Sequence, residues 1–356
     1  MSQVNRMEEM TAGILPLNEE AMERARLHLD QLTKPPGSLG KLEEIAVQLA
    51  GITGELAPEL GAKTVVVMAG DHGVCEEGVS AFPSEVTCQM VMNFLNGGAA
   101  VNVLARHASA NVVCVDMGID GELEHPDLLQ RKIRRGTRNM ARGAAMTRDE
   151  AEAAVRAGYE LALELAERGT GLFATGEMGI GNTTPSAALL AAFAGISPAA
   201  AAGRGTGISD QRLVRKIGVI EQALQINQPD PRDPLDVLAK VGGLEIAGLT
   251  GLILGAAASR RPIVIDGFIS TAAALTAVRL APAAKGYMIG SHLSGEQGHA
   301  LLVKEAGISP MLGLDMRLGE GTGAVLAFHL VEAAVKIMAE MATFAQAGVS
   351  GGEEYS

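Results

Sequence analysis

The chain has 356 residues, 47% hydrophobic and 20% charged, which suits a folded protein with a sizeable core rather than a disordered one. Its formal charge of −12 argues against a nucleic-acid footprint, which needs a basic face, but allows a single phosphate to be held by local donors. The 3 cysteines have no CxxC spacing and cannot all pair with one another, and the N-terminal region lacks a signal-type apolar stretch; both fit a reducing, cytoplasmic compartment.

In chain order, residues 17–54 read as helical, broken by Lys34-Pro35-Pro36-Gly37-Ser38-Leu39-Gly40. After the break, Leu42, Ile45, Ala46 and Leu49 recur at helical spacing. A strand rhythm follows. Residues 64–69 end in Gly70-Asp71-His72-Gly73, and residues 111–115 end in Asp116-Met117-Gly118. Residues 171–174 end in a glycine-rich run from Thr175 to Asn182, and residues 262–265 end in Asp266-Gly267. Residues 287–289 end in Gly290-Ser291-His292. The weakest run, residues 311–314, precedes Gly319-Glu320-Gly321-Thr322-Gly323. Alanine-rich helical segments lie between, such as 149–168 and 185–194, and a last helix is expected over about 323–344. Residues 246–258 are too short and glycine-broken for a membrane span.

Apolar strands alternating with helices predict an α/β fold with a mostly parallel sheet covered on both faces. Ligands of such sheets bind beyond the carboxyl ends of the strands, where these Gly, Asp, Glu and His loops fall. Helices of residues 1–60 and 323–356 could pack as a smaller helical subdomain on a catalytic domain of 61–322.

Within the loops, Thr175 to Ser186 is the best anion candidate: a strand leads in, glycines free the backbone, and Asn182-Thr183-Thr184 can cap a helix whose N–H groups attract a phosphate. A capped tight turn without a ligand is the rival reading. Gly205, Thr206 and Gly207 form a second glycine loop, and Lys216 could add a point charge, unless it is a solvated lysine. Asp266 stands in a motif resembling that of diphosphate-dependent phosphoribosyltransferases, but those use paired acids and only one is present, which favours a nucleotide donor over a metal–diphosphate one. Asp71, His72, Asp116, Asp266, His292 and His299 have no metal-ligand spacing. Glu320 is the candidate general base; a helix start favours its charged form, burial its neutral one, and an ordinary helix-start acid is the rival.

The four segments 34–40, Ala69 to Val74, Gly176 to Thr184 and 319–323, in that order, resemble the nicotinate-nucleotide:dimethylbenzimidazole phosphoribosyltransferase family, with a match from about residue 20 to 348. The resemblance implies a Rossmann-like homodimer without metal or cofactor. It implies transfer of phosphoribose from nicotinate mononucleotide to 5,6-dimethylbenzimidazole, yielding α-ribazole 5′-phosphate and nicotinate for the lower ligand of cobalamin. Glu320 would be the base. Ser80, Phe82, Gln89, Met178 and Leu318 would surround the benzimidazole, while Glu177, Gly179, Gly181, Asn182, Gly205, Thr206, Gly207 and Lys216 would hold the nucleotide. Core packing is the rival for Phe82, and a helix or turn surface for Ser80 and Gln89. Two other functions compete: a metal-dependent phosphohydrolase using Asp71, His72 and Asp266, and a non-catalytic nucleotide sensor.

Overall fold

The fold was read from a computed structural model that describes residues 3–205 and 207–350. Seven strands form one sheet, and every pairing is parallel: β1 (Ala62–Gly70), β2 (Asn111–Gly118), β3 (Leu128–Gln130), β4 (Thr170–Met178), β5 (Ile263–Ile265), β6 (Met288–His292) and β7 (Pro310–Leu312). Their spatial order is β3-β2-β1-β4-β5-β6-β7. The direction of winding therefore reverses between β1 and β4, which is where a doubly wound sheet opens a crevice. The short edge strand β3 has no expectation in the sequence; its three residues, Leu-Leu-Gln, carry no β-branched run and lead into no glycine loop.

Side-chain alternation along β1 explains why both faces are covered. Val66 and Met68 join Met117, Phe173 and Ile265 in one core, under the helices Arg148–Glu167, Thr183–Ala194, Leu244–Ala258 and Phe268–Leu280. Val65, Val67 and Ala69 join Cys114, Ala174 and Val264 in the other, under the helices Lys41–Thr53, Glu85–Leu95, Ala100–His107 and Thr322–Glu340. Successive residues of a strand point to opposite faces, so an unbroken apolar run must be buried twice.

Part of the glycine excess is spent between two helices. A Cβ on Gly248 would crowd the Met68 and Met117 side chains, one on Gly251 would collide with the Val155 carbonyl, and one on Gly158 with the Gly248 carbonyl. Glycine here lets the helices Arg148–Glu167 and Leu244–Ala258 approach backbone to backbone. The helix Thr322–Glu340 is long and apolar enough to cross a bilayer, yet Ala324, Val325, Ala327, Phe328 and Val331 are fully buried against the sheet. It also lies along the helix Lys41–Thr53, and the terminal segments are stitched together by a bridge between Leu32 and Thr343 and by the Thr33 N–H, which donates to the Ala342 carbonyl.

Candidate active site

The loops after β4, β5, β6 and β7 converge on a cavity of about 340 Å³ at the carboxyl end of the sheet. It is lined by Glu177 and Met178 at the end of β4, His292 and Glu296 at and after the end of β6, Phe82 before the helix Glu85–Leu95 and Val86 and Met90 within it, and Arg317, Leu318 and Glu320 of the last loop. Phe82 and Leu318 are 49% and 56% exposed, so the apolar side of the cavity is its rim. A smaller pocket of about 40 Å³ shares Gly179, Ile180, Asn182, Thr183 and Gly205 with it, and adds Ser80, Gly181 and Arg204.

Glu320 sits in a turn that only glycine-rich sequence permits. Its φ is +63°, between Gly319 at +87° and Gly321 at +91°. A left-handed conformation costs a residue with a side chain about 1–2 kcal/mol, so glycines at both flanks confine that cost to the one position that needs a carboxylate. Gly176 of β4 completes the fit, because a Cβ there would lie 2.6 Å from the Glu320 carbonyl. The carboxylate is buried and accepts a hydrogen bond from the Val101 N–H at 3.3 Å. Val101 belongs to the first turn of the helix Ala100–His107. The helix start that stabilises the charge is thus not the one following Glu320, as the sequence suggests, but one 219 residues away in the chain. Burial nevertheless dominates and raises the Glu320 carboxyl above its ordinary value; the Val101 N–H opposes this, and the negative charge of Asp266 adds to it.

Glu177, buried beside it, is pushed up to about 8, mainly by burial, with Asn182 opposing and the charges of Asp266 and Glu245 reinforcing. The Asn182 side-chain amide donates to Glu177 Oε2. Asn182 stands at the helix N-cap position but makes no side-chain cap, contrary to the expectation from sequence; the buried carboxyl takes its amide instead. Lys216 is also buried rather than solvated. Its Nζ donates to Thr183 Oγ1 at 2.8 Å and to the Gly203 carbonyl at 3.1 Å, and burial pushes it down to about 8 while Glu296 resists. Lys216 itself lines neither space, but its tether to Thr183, at the start of the helix Thr183–Ala194, puts a cation behind a residue that lines both, a setting suited to phosphate.

Of the residues singled out from sequence, Glu177, Met178, Gly179, Asn182, Gly205, Phe82, Leu318 and Glu320 share the main cavity. Ser80 and Gly181 lie on the smaller pocket, so Ser80 stands on the glycine-loop side rather than against the apolar wall. Gln89 is exposed on the helix Glu85–Leu95 and lines neither space: it occupies the outward face, while Val86 and Met90 of the same helix face the cavity. Gly207 is exposed, with open space where a Cβ would be, and Thr206 lies outside the described residues. Thr183, His292, Glu296 and Arg317 also line the cavity without having been assigned a role from sequence; Thr183 was inside the quoted motif and His292 in a strand-end loop, but nothing in the spacing of Glu296 and Arg317 points to the cavity.

Asp71, His72 and Asp266 do not form a metal site. His72 Nε2 is 2.6 Å from Glu245 Oε1, Asp71 accepts from the Asp120 N–H, and Asp266 accepts from the N–H groups of Gly321 and Ala324. Among the described residues, no group of three or more His, Cys, Asp or Glu side chains is arranged to hold a metal ion.

A model of the DBI_PRT family, described as phosphoribosyltransferase, matches residues 14–349. The chain belongs to this phosphoribosyltransferase family. It is 56% identical over 346 residues to the nicotinate-nucleotide–dimethylbenzimidazole phosphoribosyltransferase of Geobacter sulfurreducens, covering 97% of this chain and 98% of that one. It is 58% identical over 340 residues to the protein of the same name from Chloroflexus aggregans, covering 95% and 96%. Among solved structures it is similar to CobT from Thermus thermophilus, with a TM-score of 0.90 and 50% identity over 94% of this chain and 100% of that one. The phosphoribosyltransferase fold is therefore present along nearly the whole chain, and the cavity lies at the carboxyl end of its sheet, the end at which open α/β sheets bind ligands.

Proposed function

We propose that this enzyme transfers the phosphoribosyl group of nicotinate mononucleotide to 5,6-dimethylbenzimidazole, giving α-ribazole 5′-phosphate and nicotinate for the cobalamin lower ligand. The observation that carries the reading is the Glu320 carboxyl: buried, raised in pKa, and facing a cavity with an apolar rim, in a chain whose relatives bear this activity in their names. One ring nitrogen of the benzimidazole attacks the anomeric carbon, and Glu320 takes the proton from the other. The bond from that carbon to the pyridinium nitrogen breaks, and its electron pair neutralises the ring as nicotinate leaves. Attack from the opposite face turns a β-nucleotide into an α-nucleotide.

In this reading Phe82, Met178 and Leu318 flank the flat bicyclic base, which suits an apolar slot with few polar groups. Glu177, Gly179, Asn182 and Gly205 surround the nucleotide. The phosphate sits by the smaller pocket, near the start of the helix Thr183–Ala194 and Lys216, with Gly181 and Ser80 at its edge. Arg317, whose guanidinium donates to the Gly205 carbonyl at 3.2 Å, joins the two regions.

A cytoplasmic homodimer belongs to the same proposal. The free cysteines Cys75, Cys88 and Cys114 suit a reducing compartment, and exposed Phe82 and Leu318 at the rim offer apolar area for a second copy to cover. Product analysis tests the activity: nicotinate mononucleotide with 5,6-dimethylbenzimidazole yields nicotinate and the α-nucleotide in equal amounts. Release of inorganic phosphate instead, or tight nucleotide binding without turnover on any base, would overturn it.

A further inference from the structure

The turn that presents Glu320 is held from outside itself. Three successive residues, 319–321, have left-handed backbone; the two glycines adopt it freely, but for Glu320 it persists only where the surroundings enforce it. Two acidic side chains do so. Glu177 Oε1 accepts from the Glu320 N–H at 3.4 Å. Asp266, one residue beyond β5, accepts twice: Oδ2 from the Gly321 N–H at 3.2 Å and Oδ1 from the Ala324 N–H at 3.0 Å.

The two acids differ in where they stand. Glu177 lines the cavity. Asp266 is 2% exposed, is absent from the cavity lining, and sits behind the turn. Its own N–H donates to Thr175 Oγ1 at 3.0 Å, which ties it to β4, the strand on which the turn rests. His292 closes the remaining side, with Nδ1 3.9 Å from Asp266 Oδ1 and its ring packed where a Gly323 side chain would be. Both oxygens of Asp266 are thus committed to the main chain on either side of Thr322. Asp266 therefore holds main chain behind the turn and is not among the residues that line the cavity.

We propose that Asp266 is a positioning residue for Glu320: by clamping Gly321 and Ala324 together it fixes the left-handed turn, and so the place of the carboxylate relative to the acceptor base. The proposal rests on the reading of Glu320 as the general base. The test is a double-mutant cycle of Asp266→Asn and Glu320→Gln, with initial rates in both substrates. Asparagine keeps the shape and one acceptor but cannot serve both N–H groups. Displacing a reacting group by about an ångström costs on the order of 10²-fold, so Asp266→Asn should lower kcat by about that factor. The nucleotide KM should stay within about threefold, since no substrate contact is removed. In the Glu320→Gln background the same substitution should cost less than about threefold more, because its route of action is already gone.

If Asp266→Asn does not yield folded protein, Thr175→Val loosens the same clamp through its other end; a smaller kcat loss, again missing in the Glu320→Gln background, is expected. Unchanged kcat in the folded variant, a loss confined to KM, or an undiminished loss in the Glu320→Gln background would each overturn the positioning role. Normal turnover by Glu320→Gln alone is a separate result, which removes the general-base reading itself.

Discussion

Glu320→Gln isolates the proton-transfer role of the carboxylate. Glutamine has nearly the same volume and takes the same left-handed backbone. Its carbonyl oxygen can still accept from the Val101 N–H, now at 3.3 Å from the carboxylate. Alanine would leave that buried donor unpartnered, at a cost of about 1–3 kcal/mol, and confuse stability with catalysis. Only the basic site is lost with glutamine. General-base catalysis contributes about 10²–10⁴-fold, which at about 1.36 kcal/mol per decade is roughly 2.7–5.4 kcal/mol of barrier. The assay is chromatographic quantification of nicotinate and α-nucleotide at saturating substrates across pH. Wild-type kcat should fall as pH drops through the raised pKa of Glu320, since the neutral acid cannot accept a proton. The variant should be slow and lack that limb.

Stability gives an independent sign. A folded-state pKa raised above the unfolded value means the native protein holds the proton more tightly, so this group's contribution declines as pH rises through that window. Glutamine carries no such penalty, and the variant should melt at the same or a higher temperature than wild type above the window. A kcat within about threefold of wild type would refute the reasoning, because it is below the smallest loss expected of a general base. So would a variant that retains the acid limb.

Lys216→Met keeps the buried volume and removes the cation; losing the charge-assisted contact proposed between Lys216 and the phosphate, about 1.5–3 kcal/mol, should raise the nucleotide KM roughly 10–150-fold with kcat nearly unchanged. Wild-type nucleotide KM should also rise as pH passes about 8, where Lys216 loses its proton; a pH-independent KM would count against the phosphate role. Gly251→Ala should destabilise the fold by about 1–3 kcal/mol, read as a lower urea midpoint, because its Cβ would meet the Val155 carbonyl of the facing helix rather than a yielding side chain. An unchanged midpoint would mean that the two helices are not locked as closely as described.

Much of the architecture was legible because it is local. Apolar runs at 64–69, 111–115 and 171–174 became β1, β2 and β4 with longer ends, and the helix expected over 149–168 is Arg148–Glu167. β3 was not legible, since three residues at an edge owe their extension to pairing with β2. The same holds at the site. Chain order alone put Glu320 between glycines after a strand, and the motifs named its family. The outward face of Gln89 follows from how its helix is rotated against the sheet.

What the sequence by itself determined is therefore the period of the elements, the glycine-flanked position of Glu320 and the family, all properties of neighbours along the chain. Tertiary structure decided the electrostatics. The N–H that holds the Glu320 carboxylate comes from Val101, the clamp on its turn from Asp266, and the burial of Lys216 from packing around Thr183 and Gly203. Whether a carboxyl is charged depends on the water it loses and on the donors that replace it, and both are contributed by residues remote in sequence.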